Sequence, residues 1–151
     1  MKMLMGGVIC ACMLVTLSLG AAYADEAAGT VKSVKGNVRI VRAGAPIQAL
    51  AGMNLLAADQ VITGDDSSVG ITLQDETLLS FGPKSSSQLS EFHYDPVNRV
   101  GNLLISVFKG SMRFVTGQIG KLNPASVTIR MPSGVIGIRG TDFIVSVEGG
   151  S

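Results

Sequence analysis

Tryptophan is absent from this chain of 151 residues, and cysteine, tyrosine and histidine are scarce. Both cysteines, Cys10 and Cys12, lie in an apolar N-terminal stretch, so the rest of the chain has no thiol for a disulfide, a thiolate metal site or a nucleophile. His93 is the single histidine, which excludes a zinc site built from several histidines of one chain. The formal net charge is only +1, without the basic surplus of nucleic-acid-binding proteins. These absences exclude a nucleic-acid partner and most metal chemistry.

The N-terminal residues have the pattern of a secretory signal peptide, which we place at residues 1–24. Lys2 supplies a short positive region, residues 3–19 form an uncharged and mostly apolar run, and Ala22-Tyr23-Ala24 supplies small residues at a cleavage site. We expect cleavage after Ala24 and export to the periplasm. An uncleaved anchor is the alternative, because about twenty apolar residues can cross a bilayer, and this leader would then be the link to the membrane.

Lipidation of Cys12, which follows a lipobox-like Ile9-Cys10-Ala11, is a third fate of the leader. It would leave residues 13–22 as an apolar tail on the product, which argues against it. Cleavage after residue 24 removes 24 of the 151 residues, Lys2 among them, and leaves 127 residues in which 11 basic residues balance 11 acidic ones. The expected product is neutral and free of cysteine.

From Gly29 onward, apolar residues recur with a period of two, which is the period of β-strands. The alternating segments are residues 38–41, 71–74, 112–115, 127–131 and 143–148. Turn-forming residues separate them at roughly strand-length spacing, with Lys109-Gly110 among the predicted turns. This pattern predicts an all-β fold: a single-domain β-sandwich or roll of short antiparallel strands over residues 29–148. No segment has a convincing amphipathic helix pattern, and residues 48–58, which Gly52 and Asn54 interrupt, hold at most one turn.

The segment from Thr128 to Phe143 resembles the closing signature of the FecR domain, a periplasmic all-β domain. That signature reads as a strand, T-P-x-G, a short apolar segment and R-G-T-x-F. The matching residues here are Pro132, Gly134, Gly137, Arg139, Gly140, Thr141 and Phe143. Residues 50–64, 68–79 and 108–112 resemble upstream elements of the family in the same order, with departures at Ala58, Glu76 and Met131.

The resemblance implies a non-catalytic envelope module without a cofactor, which binds a partner protein in signalling or regulation. Full-length members reach a cytoplasmic sigma factor through an N-terminal segment, whereas two residues precede the apolar run here. We therefore expect any regulation to act through another envelope protein, for instance one that docks a peptide on a strand edge. The alternative is a structural envelope protein that associates with peptidoglycan, or with copies of itself as a homo-oligomer, through sheet edges.

Glycine recurs every third residue at Gly134, Gly137 and Gly140 in an apolar stretch, which predicts a bend where a strand passes between two sheets. Arg139 amid these neighbours needs a carboxylate partner. The candidate partners are Asp59, Asp75 and Asp142. We interpret Arg139 as a structural residue that ties turns together, and a ligand-binding arginine is the alternative.

Glu91, His93 and Asp95 alternate along a predicted strand, and a histidine with two carboxylates on one face is able to bind a divalent metal or act as a general base. The ordinary interpretation, which we favour, is a strand with Phe92 and Tyr94 turned inward and the polar residues outward. The chain has neither a G-x-S-x-G elbow nor a G-x-G-x-x-G fingerprint. We expect no enzymatic activity, no metal and no cofactor.

Overall fold

The computed structural model describes residues 27–138 and 142–148, so the predicted signal peptide lies outside it. In this part of the chain the fold is all-β, as predicted. The strands are β1 Ala27–Lys35, β2 Val38–Arg42, β3 Ala45–Gln48, β4 Asn54–Leu56, β5 Gln60–Thr63, β6 Ser68–Leu73, β7 Leu78–Phe81, β8 Ser86–Asp95, β9 Val100–Val115, β10 Val127–Met131, β11 Gly134–Gly137 and β12 Asp142–Val147. A short helix, α1 Gln118–Leu122, and a 3₁₀ turn, Pro124–Ser126, follow β9.

The strands form one continuous sheet that curls into two layers joined by β9. The first layer has the order β3-β2-β5-β8-β9-β10-β11, and the second has the order β4-β1-β6-β7-β9-β12. All pairs are antiparallel except β9 with β10. Residues 100–109 of β9 pair with β8, whereas residues 112–115 pair with β7. The turn predicted at Lys109-Gly110 is therefore wrong: the strand bends there but continues, because Gly110 has a φ of +89°.

The predicted alternation is confirmed in the packing of both layers. In β6, Val69, Ile71 and Leu73 are buried, and the residues between them are partly exposed. The same holds for the core side chains of β2, β9, β10 and β12, which are Val38, Ile40, Met112, Phe114, Val127, Ile129 and Val145. A single core between the layers results, and Phe114 is the largest of its fully buried side chains.

At one end of the molecule, which we call the crossing end, the chain passes four times from one layer to the other. A glycine lies at each passage: Gly36, Gly64, Gly82 and Gly110. Serine and threonine hydroxyls accept hydrogen bonds from backbone amides between these passages. The Thr63 hydroxyl accepts a hydrogen bond from the Ser85 amide at 2.8 Å, and the Ser85 hydroxyl accepts one from the Ser111 amide at 3.1 Å. Bulkier side chains would separate the passages and leave these amides unpaired.

The opposite end, which we call the tip end, carries α1 and the β8–β9 hairpin turn at residues 96–99. The sequence predicts no amphipathic helix, whereas the described residues contain α1, a helix of five residues. Tertiary contact explains it: Asp75, which is fully buried, accepts hydrogen bonds from the amide of Ile119 at 3.1 Å and from both the amide and the hydroxyl of Thr77. Since the cap residue Gly117 offers no side chain, Asp75 acts as the helix cap from another element.

The Ser87 hydroxyl is buried without a hydrogen-bond partner among the described residues, beside a core cavity of about 10 Å³ lined by apolar side chains. Because an unpaired buried hydroxyl is destabilising, Ser87→Ala should raise the free energy of unfolding by about 1 kcal/mol in urea titrations. Ser86→Ala is the matched control, since the Ser86 hydroxyl accepts a hydrogen bond from Gln60 Nε2 at 3.0 Å and its loss should destabilise. A clear loss of stability in Ser87→Ala would contradict this account.

Candidate functional site

The described part of the signature is the hairpin of β10 and β11 and the start of β12. Pro132 lies in the hairpin turn, Gly134 and Gly137 begin and end β11, and Phe143 lies in β12. Arg139, Gly140 and Thr141 fall outside the described residues, so the structural role predicted for them stays a prediction. Since β11 belongs to the first layer and β12 to the second, the chain changes layer between them.

The two described glycines of the signature differ from the expected tight bend. Gly134, Val135 and Gly137 are exposed, and a side chain added at Gly134 or Gly137 would meet no atom within 4 Å. The apolar stretch is therefore an exposed strand in this region. Close approach occurs instead at other layer crossings, at Gly36, Gly82 and Gly110 of the crossing end and at Gly117 before α1, whereas Gly64 makes ordinary contacts.

A cleft of about 500 Å³ opens beside the last strands of the two layers. Its described lining is Ile136, Gly137 and Ile138 from the β11 side and Phe143 from β12. Phe143 also stacks on Phe114, its cross-strand partner, with ring centroids 5.2 Å apart. This stacking anchors the inner wall of the cleft to the core. We call this opening the signature cleft.

The strands beside the signature cleft have free edges. Among the described residues, β11 pairs with β10 alone and β12 with β9 alone. Val135 and Ile144 on these two strands are 60% and 70% exposed. The other two outer strands are less suited to strand pairing, because β3 contains Pro46 and β4 has three residues. The open edges of the described fold are thus concentrated at the signature.

The three carboxylates considered for Arg139 have other partners in the structure. Asp59 is buried and bound by Arg42 at 2.8 Å, and Asp75 holds α1. Asp142, which is exposed, accepts two hydrogen bonds from the guanidinium of Arg113, at 3.0 and 2.6 Å. The contacts of Asp59 and Asp75 are internal supports of the fold, whereas the Arg113–Asp142 pair lies on the surface of β9 and β12.

The hydrogen bonds and charge of Arg113 lower the pKa of the Asp142 carboxyl below its usual range. A carboxyl whose pKa is lower in the folded state stabilises the fold above about pH 4, and this stabilisation is lost as the pH falls through the lowered pKa. Asp142→Asn should therefore be slightly less stable than the parent at pH 7, and the difference should be smaller at pH 2, in paired urea titrations. Asp66→Asn, at an exposed turn, is the control. An equal difference at both pH values would refute the assignment.

The polar residues of β8 have the predicted arrangement. Glu91 and His93 are exposed, and Phe92 and Tyr94 are half-buried. Glu91 accepts a hydrogen bond from Asn102, while Asp95 accepts hydrogen bonds from the amides of Val97 and Asn98 in the hairpin turn. No group of three potential metal ligands lies together in residues 27–138 and 142–148. The contacts of Glu91 and Asp95 are those of strand and turn residues.

A family model described as FecR protein matches residues 59–151, more than half of the chain. This chain belongs to the FecR family. FecR proteins are regulatory proteins of the cell envelope that act with partner proteins, so the assignment places the chain in that class. The match includes the whole signature and both strands beside the cleft. No curated protein and no solved structure matches the chain well enough to refine the assignment further.

For this FecR protein, the described residues contain no helix long or apolar enough to cross a bilayer. The sequence does not mark Val135 as a surface residue. The alternation in residues 143–148 had already placed Ile144 opposite the core side chains, but strand pairing alone shows that both residues lie on outer strands. The exposed residues Val135 and Ile144 of this FecR protein thus lie on the two strands that flank the signature cleft.

Proposed function

We propose that this FecR protein is a non-catalytic periplasmic module that binds an envelope protein through its signature surface. By signature surface we mean the exposed parts of β11 and β12 together with the signature cleft. The proposal includes export by residues 1–24 and a domain formed by residues 29–148. The observation that carries it is that the two unprotected outer strands of the described fold flank one apolar cleft.

The physical basis of recognition is strand addition. An extended partner segment pairs its backbone with the free edge of β11 or β12, and its side chains alternate toward and away from the cleft. Ile136, Ile138 and Phe143 line the cleft with apolar side chains, and the exposed Arg113–Asp142 ion pair joins β9 to β12. Because the chain is nearly neutral, long-range electrostatic attraction of a partner should be weak. We therefore expect specificity for the partner to come from shape complementarity and backbone pairing.

The test uses the full chain with a photoreactive residue in place of Val135 or Ile144, produced in the cells from which the sequence comes. We expect cross-links to a specific envelope protein. The double variant Val135→Glu/Ile144→Glu should abolish recovery of that protein, because charges replace apolar contacts at the strand edges. Leu50→Glu is the matched control, since Leu50 is also exposed, at 64%, but lies outside the signature.

Other outcomes point to other functions. Cross-links solely between copies of the chain would support self-assembly, and sedimentation with purified cell-wall sacculi would support a peptidoglycan-associated protein. Equal recovery of the partner by the double variant and by Leu50→Glu would overturn the signature surface as the binding site. Recovery of no specific protein at either position would overturn the proposed function itself.

A further inference from the structure

The tip end carries a surface on which apolar and basic side chains are mixed. Val97, at the β8–β9 turn, is 87% exposed, and Val100 and Leu122 are also exposed. Val100 and Leu122 line one shallow cleft together with Arg99, so residues of the hairpin and of α1 form a common patch. Lys121, next to Leu122, is exposed as well. We call these five residues the tip surface.

The described chain also begins at this end. Ala27, the first described residue, lines a small cleft together with His93 and Tyr94, just before the hairpin turn that carries Val97. The apolar run ends at Leu19, and residues 20–26 are the spacer between that run and β1. Seven fully extended residues reach at most about 25 Å. A leader inserted in a membrane therefore keeps the tip end near that membrane.

We propose that the tip surface contacts the lipid surface of the membrane into which the leader inserts. Exposed valine and leucine side chains enter the boundary between headgroups and acyl chains, while Arg99 and Lys121 reach lipid phosphates. Tyr94, half-buried at the same end, has the amphipathic character of residues at membrane interfaces. The hydrogen bonds that Asp95 accepts in its own turn hold its carboxylate at the turn backbone.

Charge alone does not select this orientation. The crossing end has the exposed acidic residues Asp65 and Asp66 but also exposed lysines, which are Lys35, Lys84 and Lys109. The exposed apolar side chains of the tip surface, together with the position of the leader, favour the tip end. With the tip end on the lipid, the crossing end points away from the membrane. The proposal is independent of the partner assigned to the signature surface. The proposal concerns the chain that keeps its leader as an anchor, which is the alternative to cleavage after Ala24; a cleaved chain would keep the tip surface but lose its tether.

The test compares two probe positions in the full chain, with Cys10→Ser and Cys12→Ser to remove the native thiols. A fluorophore is attached to Val97→Cys at the tip end or to Lys84→Cys at the crossing end, where Lys84 is exposed. Each protein is reconstituted in vesicles of phosphatidylcholine and phosphatidylglycerol that contain spin-labelled lipid. We expect several-fold stronger quenching of the probe at position 97 than at position 84.

A second variant tests the basic residues. Arg99→Glu/Lys121→Glu, in the Val97→Cys protein, should reduce the quenching markedly in these anionic vesicles, while circular dichroism verifies that the β-sheet is retained. Equal quenching at positions 97 and 84, or none at either position with the leader inserted, would overturn the proposal. Undiminished quenching in the charge-reversed variant would overturn the role of Arg99 and Lys121.

Discussion

Gly110→Ala should lower the free energy of unfolding by about 3 kcal/mol or more and the thermal midpoint by about 10 °C or more. Gly110 has a φ of +89°, and a Cβ added there would overlap the Ser85 hydroxyl and come within 2.5 Å of the Ser85 Cα. The Cα belongs to the backbone of a neighbouring layer passage, so it cannot move aside as the end of a side chain can. The substitution would also displace the Ser85 hydroxyl from the Ser111 amide.

Gly52→Ala is a closely matched control for this prediction. Gly52 has a φ of +90°, but an added Cβ would meet no atom within 4 Å. Gly52→Ala should lower the free energy of unfolding by about 1 kcal/mol, because only the preference of alanine for negative φ opposes it. The difference between the two variants in urea or thermal unfolding isolates the close approach at the crossing end. Similar losses in both would show that Gly110 matters for its φ and not for the packing of the passages.

Asp75→Ala should lower the free energy of unfolding by about 3 kcal/mol. It removes a fully buried carboxylate that accepts three hydrogen bonds. The amide of Ile119, at the start of α1, would be left without this acceptor, and the Thr77 amide likewise. The helix has no other side-chain cap, so we also expect its amides to exchange faster with solvent in Asp75→Ala and Asp75→Asn.

Asp65→Ala provides the comparison for Asp75, since Asp65 lies exposed in a turn and its loss should change stability by less than about 0.5 kcal/mol. Denaturant titration measures the change in the free energy of global unfolding. Hydrogen exchange at the Ile119 amide measures the change in the local stability of α1. If Asp75→Ala matched Asp65→Ala in stability, the buried carboxylate would not be the support of α1 that its contacts indicate.

The strands were predictable where side chains alternate strongly. In residues 127–131 and 143–148, period-two patterning placed the correct residues inward, and Phe143 and Val145 accordingly face the core. The prediction failed at Lys109-Gly110, because a glycine in a turn and a glycine in a bent strand look alike in sequence. It also did not identify α1, whose capping carboxylate lies 44 residues earlier in the chain.

The candidate site was predictable in part. The sequence identified the signature residues and suggested docking at a strand edge. It did not indicate which strands lie at the edges of the sheet. That property depends on long-range pairing with different parts of β9, which β12 pairs with directly and β11 reaches through β10. The same holds for the tip surface, since Val100 and Leu122 meet only because the chain returns to the β8–β9 hairpin through α1.

The linear order of amino acids determined the β class, the inward faces of the main strands and the FecR signature, because these depend on side-chain type and local spacing. Tertiary structure alone decided where the chain changes layer, what the buried carboxylates bind and which apolar residues stay on the surface. These features depend on packing and hydrogen bonds between segments that are distant in sequence. Local periodicity does not specify such long-range contacts.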